Sequence, residues 1–199
     1  MAPPQLTEDE IDDLIYFSRV GDKDELVSAL AEIVARTENK STAAEIITAT
    51  VDEKKSTCLH MATGNGHLDV VKYLLEQYDS RPKEERQAFL DAPNEFGNTG
   101  LHWAALGGHL EVVKVLVDAG ASVALANDKN YVPLDLASFG EKHDVVDYFL
   151  EKAGGLEAAN GQEGLNEDLS KVKITEGEDG EIKFSVGDTT EEKGSSSSS

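Results

Sequence analysis

The chain has 199 residues, of which 39% are hydrophobic, so we expect one packed domain, with or without a tail. Its 39 acidic side chains against 18 basic ones give a net charge of −21, which argues against direct binding to nucleic acid or to an anionic membrane surface and favours basic protein partners. A single cysteine excludes an internal disulfide framework and a multi-cysteine zinc site, and with no signal-peptide pattern at the N-terminus we expect a soluble intracellular protein.

The first predicted element is a pair of helices. Two apolar helical stretches, residues 11–20 and 27–34, are separated by Gly21 and the acidic run that follows it. Thr7 with Glu10 three residues later is a capping-box pattern, which marks a helix N-terminus. This first helix is strongly acidic, and its acidic residues are Glu8, Asp9, Glu10, Asp12 and Asp13.

Two sequence blocks then recur at a fixed distance from each other. Residues 57–62, Thr-Cys-Leu-His-Met-Ala, recur at 99–104 as Thr-Gly-Leu-His-Trp-Ala and, in degraded form, at 132–137. Each copy is followed by a second block, Gly-His-Leu-Asp/Glu-Val-Val or a variant of it, and then by an apolar helical stretch. The second copy starts 42 residues after the first, and the third starts 33 residues after the second. The chain is therefore built from internal repeats.

This pattern resembles the ankyrin repeat, whose period is 33 residues and whose signature is T-P-L-H-x-A. The resemblance covers residues 50–154. The acidic pair of helices before it resembles the atypical end repeat that stacked arrays need. The fold implied is all-α, an ankyrin-repeat solenoid of about four helix-turn-helix repeats with short β-turn fingers between them.

We predict an ankyrin-repeat domain over residues 1–154 and a separate tail. The repeats are expected at about 7–40, 50–90, 95–127 and 128–154. The first offset is nine residues longer than the second, and we interpret the extra residues, within 79–93, as a longer second helix plus an extended loop. Residues 155–199 are acidic and poor in large apolar side chains, which predicts a mostly disordered tail. Alternating polarity over 171–186 suggests a β-hairpin within it.

The histidines and the cysteine do not form a catalytic pattern. His60 and His102 hold the same position in successive repeats, which indicates a structural role, and the resemblance implies that their rings bond the backbone between repeats. The other three, at second-helix starts, have the same interpretation and are His67, His109 and His143. Cys58 is expected to be a small packing residue. No phosphate-loop, nucleophile or metalloprotease motif is present, so we predict no enzyme, no metal and no cofactor.

The resemblance also implies a binding groove. In ankyrin repeats the residue after the histidine position, and those one turn later, lie on the first helix of each repeat and face the concave surface. Here these residues are Tyr16, Arg19, Met61, Trp103, Leu106, Leu136 and Phe139, with Asn65 at the end of its helix. Trp103 is the strongest candidate for a binding anchor, although some members of this set could instead belong to the core. The polar inter-repeat turns at 52–55, 94–97 and 127–130 are expected to rim the groove.

An apolar stripe in an acidic protein suits one kind of ligand, a basic amphipathic segment that lies in the groove as a helix. Acidic side chains beside the stripe would speed the encounter and orient the ligand. We therefore include the five acidic residues of the first helix among the predicted partner-binding residues.

The organisation of the chain also resembles that of the fungal ankyrin-repeat chaperones dedicated to small-subunit ribosomal protein number three. This ribosomal protein carries a KH domain. The shared features are the acidic first repeat, residues 56–67 and 97–105, the charged insertion and the acidic tail. The resemblance implies a non-catalytic chaperone that keeps its newly made client soluble and accompanies it to the nucleus for ribosome assembly. We expect a cytoplasmic and nuclear monomer, bound one-to-one or to a client dimer. The alternatives are a general ankyrin adaptor for another basic protein and an enzyme-regulating inhibitor.

Overall fold

The computed structural model describes residues 4–38, 40–160, 172–176 and 182–186. In these ranges the chain forms ten helices and two strands: α1 (Glu8–Val20), α2 (Lys23–Arg36), α3 (Ala43–Ala49), α4 (Cys58–Gly64), α5 (Leu68–Glu76), α6 (Lys83–Leu90), α7 (Gly100–Gly107), α8 (Leu110–Ala119), α9 (Pro133–Phe139), α10 (His143–Asn160), β1 (Val172–Glu176) and β2 (Ile182–Val186). None of these helices combines the length and the apolar character needed to cross a bilayer.

The helices of residues 1–149 stack in two layers. The inner helices α1, α4, α7 and α9 pack side by side in that order. The outer helices α2, α5 and α8 each pack against the inner helix that precedes them, and α5 contacts both α2 and α8. This arrangement confirms the predicted all-α ankyrin solenoid.

The core of the solenoid lies between the two layers. In α5 the buried residues include Val70, Val71 and Leu74, a spacing that places them on one face of the helix. The alanines at the end of the repeated first block are fully buried, so neighbouring helices approach closely there; they are Ala62, Ala104 and Ala137.

Two buried histidines connect successive repeats. The Thr57 N–H donates to Nδ1 of His60 at 3.1 Å, and His60 Nε2 lies 2.8 Å from the carbonyl oxygen of Asn98 in the next repeat. His102 repeats the arrangement with Thr99 and with the carbonyl of Tyr131, both at 3.1 Å. Because a carbonyl can only accept, Nε2 carries the proton in both rings. Burial lowers the pKa of both side chains, so the rings are neutral at physiological pH. The structural interpretation of these two histidines is confirmed.

A second set of contacts joins the outer helices to the preceding repeat. His109 Nε2 lies 3.1 Å from the carbonyl oxygen of Gly64, and its ring covers Gly66. Gly66 has φ +78°, and a Cβ atom there would come within 2.5 Å of His109 Nδ1, so the position requires glycine on both counts. The expectation for His143 is wrong: it is exposed, and Lys142 takes the position of His109 in the last repeat because the histidine of that block stands one residue later.

The insertion after the second repeat also differs from the prediction. It forms a separate helix, α6, whereas α5 ends at Glu76 and is not lengthened. Pro82 at the N-cap keeps α6 separate from the chain before it, because inside one continuous helix it would lack an N–H and would clash with the carbonyl of Tyr78. Tyr78 instead stacks on Phe89 of α6, with ring centroids 4.0 Å apart, and its burial raises its pKa to about 12.

The helix α3, between the first two repeats, was not predicted. Its N-terminus is a capping box in which Glu45 N–H donates to Thr42 Oγ1 at 3.3 Å and Thr42 N–H donates to Glu45 Oε2 at 2.8 Å. Ile46 and Ile47 are fully buried, and the Tyr78 hydroxyl donates to the carbonyl of Ala44 at 2.9 Å. The additional helix α3 therefore packs against the start of the insertion.

A second unit begins at Leu150, and of it the structure describes the end of α10 and the two strands. Strands β1 and β2 pair antiparallel, with Val172 opposite Val186 and Ile174 opposite Phe184. They fall within the stretch for which alternating polarity suggests a hairpin. The helix α10 runs beyond the predicted domain boundary at 154, and the predicted disorder of the tail concerns residues that lie mostly outside the described ones.

Candidate binding groove

A cavity of about 770 Å³ lies along the inner helices α1, α4 and α7 and the first two inter-repeat turns. It brings together six of the predicted site residues: Glu8, Asp12, Tyr16, Arg19, Met61 and Trp103. We call this cavity, together with the exposed faces of α7 and α9 beside it, the groove.

The first helix presents one face to the groove and another to the core. Leu14, Ile15 and Ser18 are buried. Asp12 and Tyr16 are four residues apart and therefore share a face of the helix, and Tyr16 is 56% exposed. The core contacts of α1 thus fix which of its acidic residues reach the groove.

Trp103 lies on the exposed side of α7. It is 37% exposed, whereas its neighbours His102 and Ala104 are fully buried. Part of the indole ring and the Cβ atom of Trp103 lie against Gly64 of α4. A Cβ atom added to Gly64 would stand 3.5 Å from them. Gly64 therefore gives the indole a flat surface to lie on while leaving much of the ring open to a ligand.

The apolar surface continues outside the cavity. Leu106 follows Trp103 by three residues on α7 and is exposed, and Phe139 at the end of α9 is 63% exposed. Leu136 is half-buried on the same helix. The ring of Tyr131 meets Phe139 edge-on, with centroids 4.9 Å apart, which orients Phe139 at the end of the groove.

The remaining four predicted site residues line neither the cavity nor the apolar surface beside it. Asp9 and Asp13 are exposed on α1 beside its groove face. Glu10 pairs with Arg36 at 2.8 Å and accepts the Thr7 N–H. Its burial alone would raise its pKa, but these hydrogen bonds and the guanidinium outweigh that effect and lower the pKa. The fourth residue is Asn65, whose side-chain N–H donates to the carbonyl of Met61 on α4 at 2.8 Å.

Two exposed apolar residues of the groove were missed. Val51 and Phe96 are both exposed and line the cavity. Phe96 lies in a turn that the sequence analysis treated as a polar rim, and an aromatic residue within Asn-Glu-Phe-Gly was the available signal. The turn is held by Asn94, whose Oδ1 accepts the N–H groups of Phe96 and Asn98 at 3.0 Å.

Adjacent inter-repeat turns are linked by backbone hydrogen bonds. The N–H of Glu95 donates to the carbonyl of Lys54 at 2.8 Å, and the N–H of Asp128 donates to the carbonyl of Phe96 at 3.1 Å. These bonds fix the turns as one continuous rim along the groove.

The charge around the cavity is negative. Its acidic side chains are Glu8, Asp12, Asp52 and Glu53, and its basic ones are Arg19 and Lys54. Asp52 stabilises its own turn, since its Oδ1 accepts two backbone N–H groups at 2.8 Å and 2.7 Å. The cavity can therefore bind apolar groups and cations together.

The single cysteine is not an activated nucleophile. Cys58 is fully buried, and burial raises the pKa of its thiol to about 11, which confirms its interpretation as a packing residue. Across the part of the chain that the structure describes, no three His, Cys, Asp or Glu side chains are grouped so that they could hold a metal ion.

Comparison with known proteins agrees with this architecture. The family model for ankyrin repeats in three copies matches residues 86–160 of the sequence. The family model for a single ankyrin repeat matches residues 54–82. The ankyrin repeat-containing protein YAR1 of Saccharomyces cerevisiae is 36% identical over 174 residues, which span 86% of this chain and 84% of that protein.

A solved structure gives the same result. A chain in the crystal structure of the yeast ribosomal protein Rps3 in complex with its chaperone Yar1 matches with a TM-score of 0.65 and 34% identity. The match covers 74% of this chain and 95% of that chain. The repeats, their stacking and this shared sequence show that the protein belongs to the ankyrin-repeat family and is similar to yeast Yar1 along most of its length.

Proposed function

We propose that this protein is a dedicated, non-catalytic chaperone of the small-subunit ribosomal protein Rps3. The observation that carries the proposal is the similarity to Yar1 along most of both chains, together with the match to a chain from the complex of Rps3 with its chaperone Yar1. A similarity limited to the repeat signature would support an ankyrin protein of any function, whereas this one extends over the whole repeat array.

The chemistry of the groove fits such a client. A ribosomal protein outside the ribosome carries positive charge that ribosomal RNA normally neutralises, and its uncovered apolar patches favour aggregation. A groove that combines Trp103, Met61 and Phe96 with the carboxylates of Glu8 and Asp12 can cover both kinds of surface. We propose that it holds a basic amphipathic segment of Rps3.

The acidity of the whole chain supports the capture of a basic client. A net charge of −21 steers a basic protein toward the chaperone and speeds the encounter more than it strengthens the complex. We propose that the protein meets newly made Rps3 in the cytoplasm, keeps it soluble and accompanies it to the nucleus for ribosome assembly.

Light scattering of purified Rps3, alone and with an equimolar amount of this protein, tests the proposal. We expect the chaperone to suppress Rps3 aggregation, and the affinity to fall as salt rises from about 0.1 M to about 0.5 M because the charges are screened. Apolar contacts should preserve measurable binding at moderate salt.

A second small-subunit ribosomal protein of similar net charge is the matched control. A dedicated chaperone should leave this control protein to aggregate. If both proteins are protected equally at low salt and both are released at moderate salt, the protein is a general acidic adaptor, and the proposed function is wrong.

A further inference from the structure

The charged residues of the inner helices are concentrated at one end of the groove. The segments of α4 and α7 contain no Asp, Glu, Lys or Arg. The helix α9 contains only Asp135, whose Oδ2 accepts the Val132 N–H at 2.9 Å and is thereby committed to the helix N-terminus. By contrast, α1 carries Glu8 and Asp12 on the groove, with Asp9 and Asp13 exposed beside them.

The other groups along the groove add little charge toward its far end. The turn before α9 carries Asp128 and Lys129, whose charges cancel, and the turn before α7 carries Glu95 alone. His60 and His102 on α4 and α7 are buried and neutral. The single base on the exposed face of α1, Arg19, lies at its C-terminal end, away from Glu8 and Asp12. On the inner helices α4, α7 and α9 the exposed side chains are instead mainly aromatic and aliphatic.

We propose that the groove binds the client segment in one direction only, with the basic end of the segment over α1 and its apolar end over α7 and α9. This inference rests on the proposed function. A lysine or arginine over Trp103, Leu106 and Phe139 would lose water without gaining an opposite charge, which is costly. The same residue over Glu8 and Asp12 finds two carboxylates, so the two orientations differ in free energy.

The spacing of the inner helices sets the length of the segment. Packed helices lie about 8–10 Å apart, so the three steps from α1 to α9 span roughly 24–30 Å. A helix rises about 1.5 Å per residue, so a helical segment that crosses the whole groove has roughly 16–20 residues. The expected ligand is thus an amphipathic helix of this length whose basic residues cluster in the third that lies over α1.

Site-specific photo-crosslinking tests the direction. The photoreactive residue p-benzoylphenylalanine is placed instead of Tyr16 in one variant and instead of Phe139 in another, and each full chain is irradiated with Rps3. Mass spectrometry should map the crosslinks from position 16 to the basic end of one Rps3 segment and those from position 139 to its apolar end. Crosslinks from both positions to the same few residues, or from position 139 to the basic end, would overturn the inference.

A charge-neutral double variant supplies a second readout. Glu8→Gln with Asp12→Asn should weaken Rps3 binding roughly three- to tenfold at low salt and should flatten its salt dependence. The matched control, Glu76→Gln with Asp147→Asn, removes the same charge from α5 and α10 and should bind like the unmodified chain.

The two proposals fail in different ways. If the unmodified protein does not bind Rps3, the proposed function is wrong, and the direction falls with it. If Rps3 binds but the double variant behaves like its control, the function stands and only the direction is wrong.

Discussion

Replacing Trp103 with alanine is expected to weaken Rps3 binding by about 30-fold or more, the loss that corresponds to a hot-spot residue worth about 2 kcal/mol. The indole is 37% exposed and lies on the flat surface at Gly64, so it can fill a pocket of the client without leaving the solenoid. Because its neighbours on α7 form the core, the helix should remain folded. Calorimetric titration measures the affinity, and circular dichroism during heating measures the stability.

The control for Trp103→Ala is Tyr73→Ala on α5. Tyr73 is a half-buried aromatic of an outer helix, so its loss should lower stability without affecting the binding of Rps3. If Trp103→Ala unfolds the chain, the tryptophan is a core residue. If it remains folded and binds Rps3 with unchanged affinity, the groove is not the client site.

Replacing His102 with alanine should lower the free energy of unfolding by about 3–5 kcal/mol, because it leaves a cavity and two unpaired backbone groups in the core. The two groups are the N–H of Thr99 and the carbonyl of Tyr131, which His102 now bridges across the boundary between repeats. Urea denaturation followed by circular dichroism measures the change.

The other histidines provide a graded comparison for this variant. His109 is half-buried and makes one bond, to Gly64, so His109→Ala should cost about 1 kcal/mol. His143 is exposed, and His143→Ala should have an effect within about 0.5 kcal/mol of zero. A His102→Ala protein as stable as the His143→Ala protein would show that the inter-repeat bonds do not stabilise the stack.

The repeated elements could be predicted because each repeat imposes the same constraints on its residues. A cap such as Thr57, a bridging histidine such as His60 and a left-handed glycine such as Gly66 recur at fixed spacing, so one copy explains the others. The elements without a second copy lacked this support. The sequence nevertheless contains a signal for each of them. Thr42 and Glu45 form a capping-box pattern that marks the start of α3, and Pro82 marks the start of α6.

The groove residues could be predicted only in part. Trp103 follows from its position directly after His102, and Tyr16 follows from the matching place in the first helix pair, so both are matters of sequence alone. The role of Glu10 depends on Arg36, which lies 26 residues away, and such a tertiary ion pair has no local signature. Phe96 was hidden by the polar residues around it.

The most direct test of the central claim, that Rps3 is held against the inner helices, is hydroxyl-radical footprinting of the free protein and of its complex. The method suits this groove because aromatic residues and methionine react readily and the groove is rich in both. We predict that Rps3 protects Tyr16, Met61, Trp103 and Phe139 and leaves Tyr73 on α5 as reactive as before. Unchanged oxidation of these four residues, with protection on the outer helices, would contradict the account.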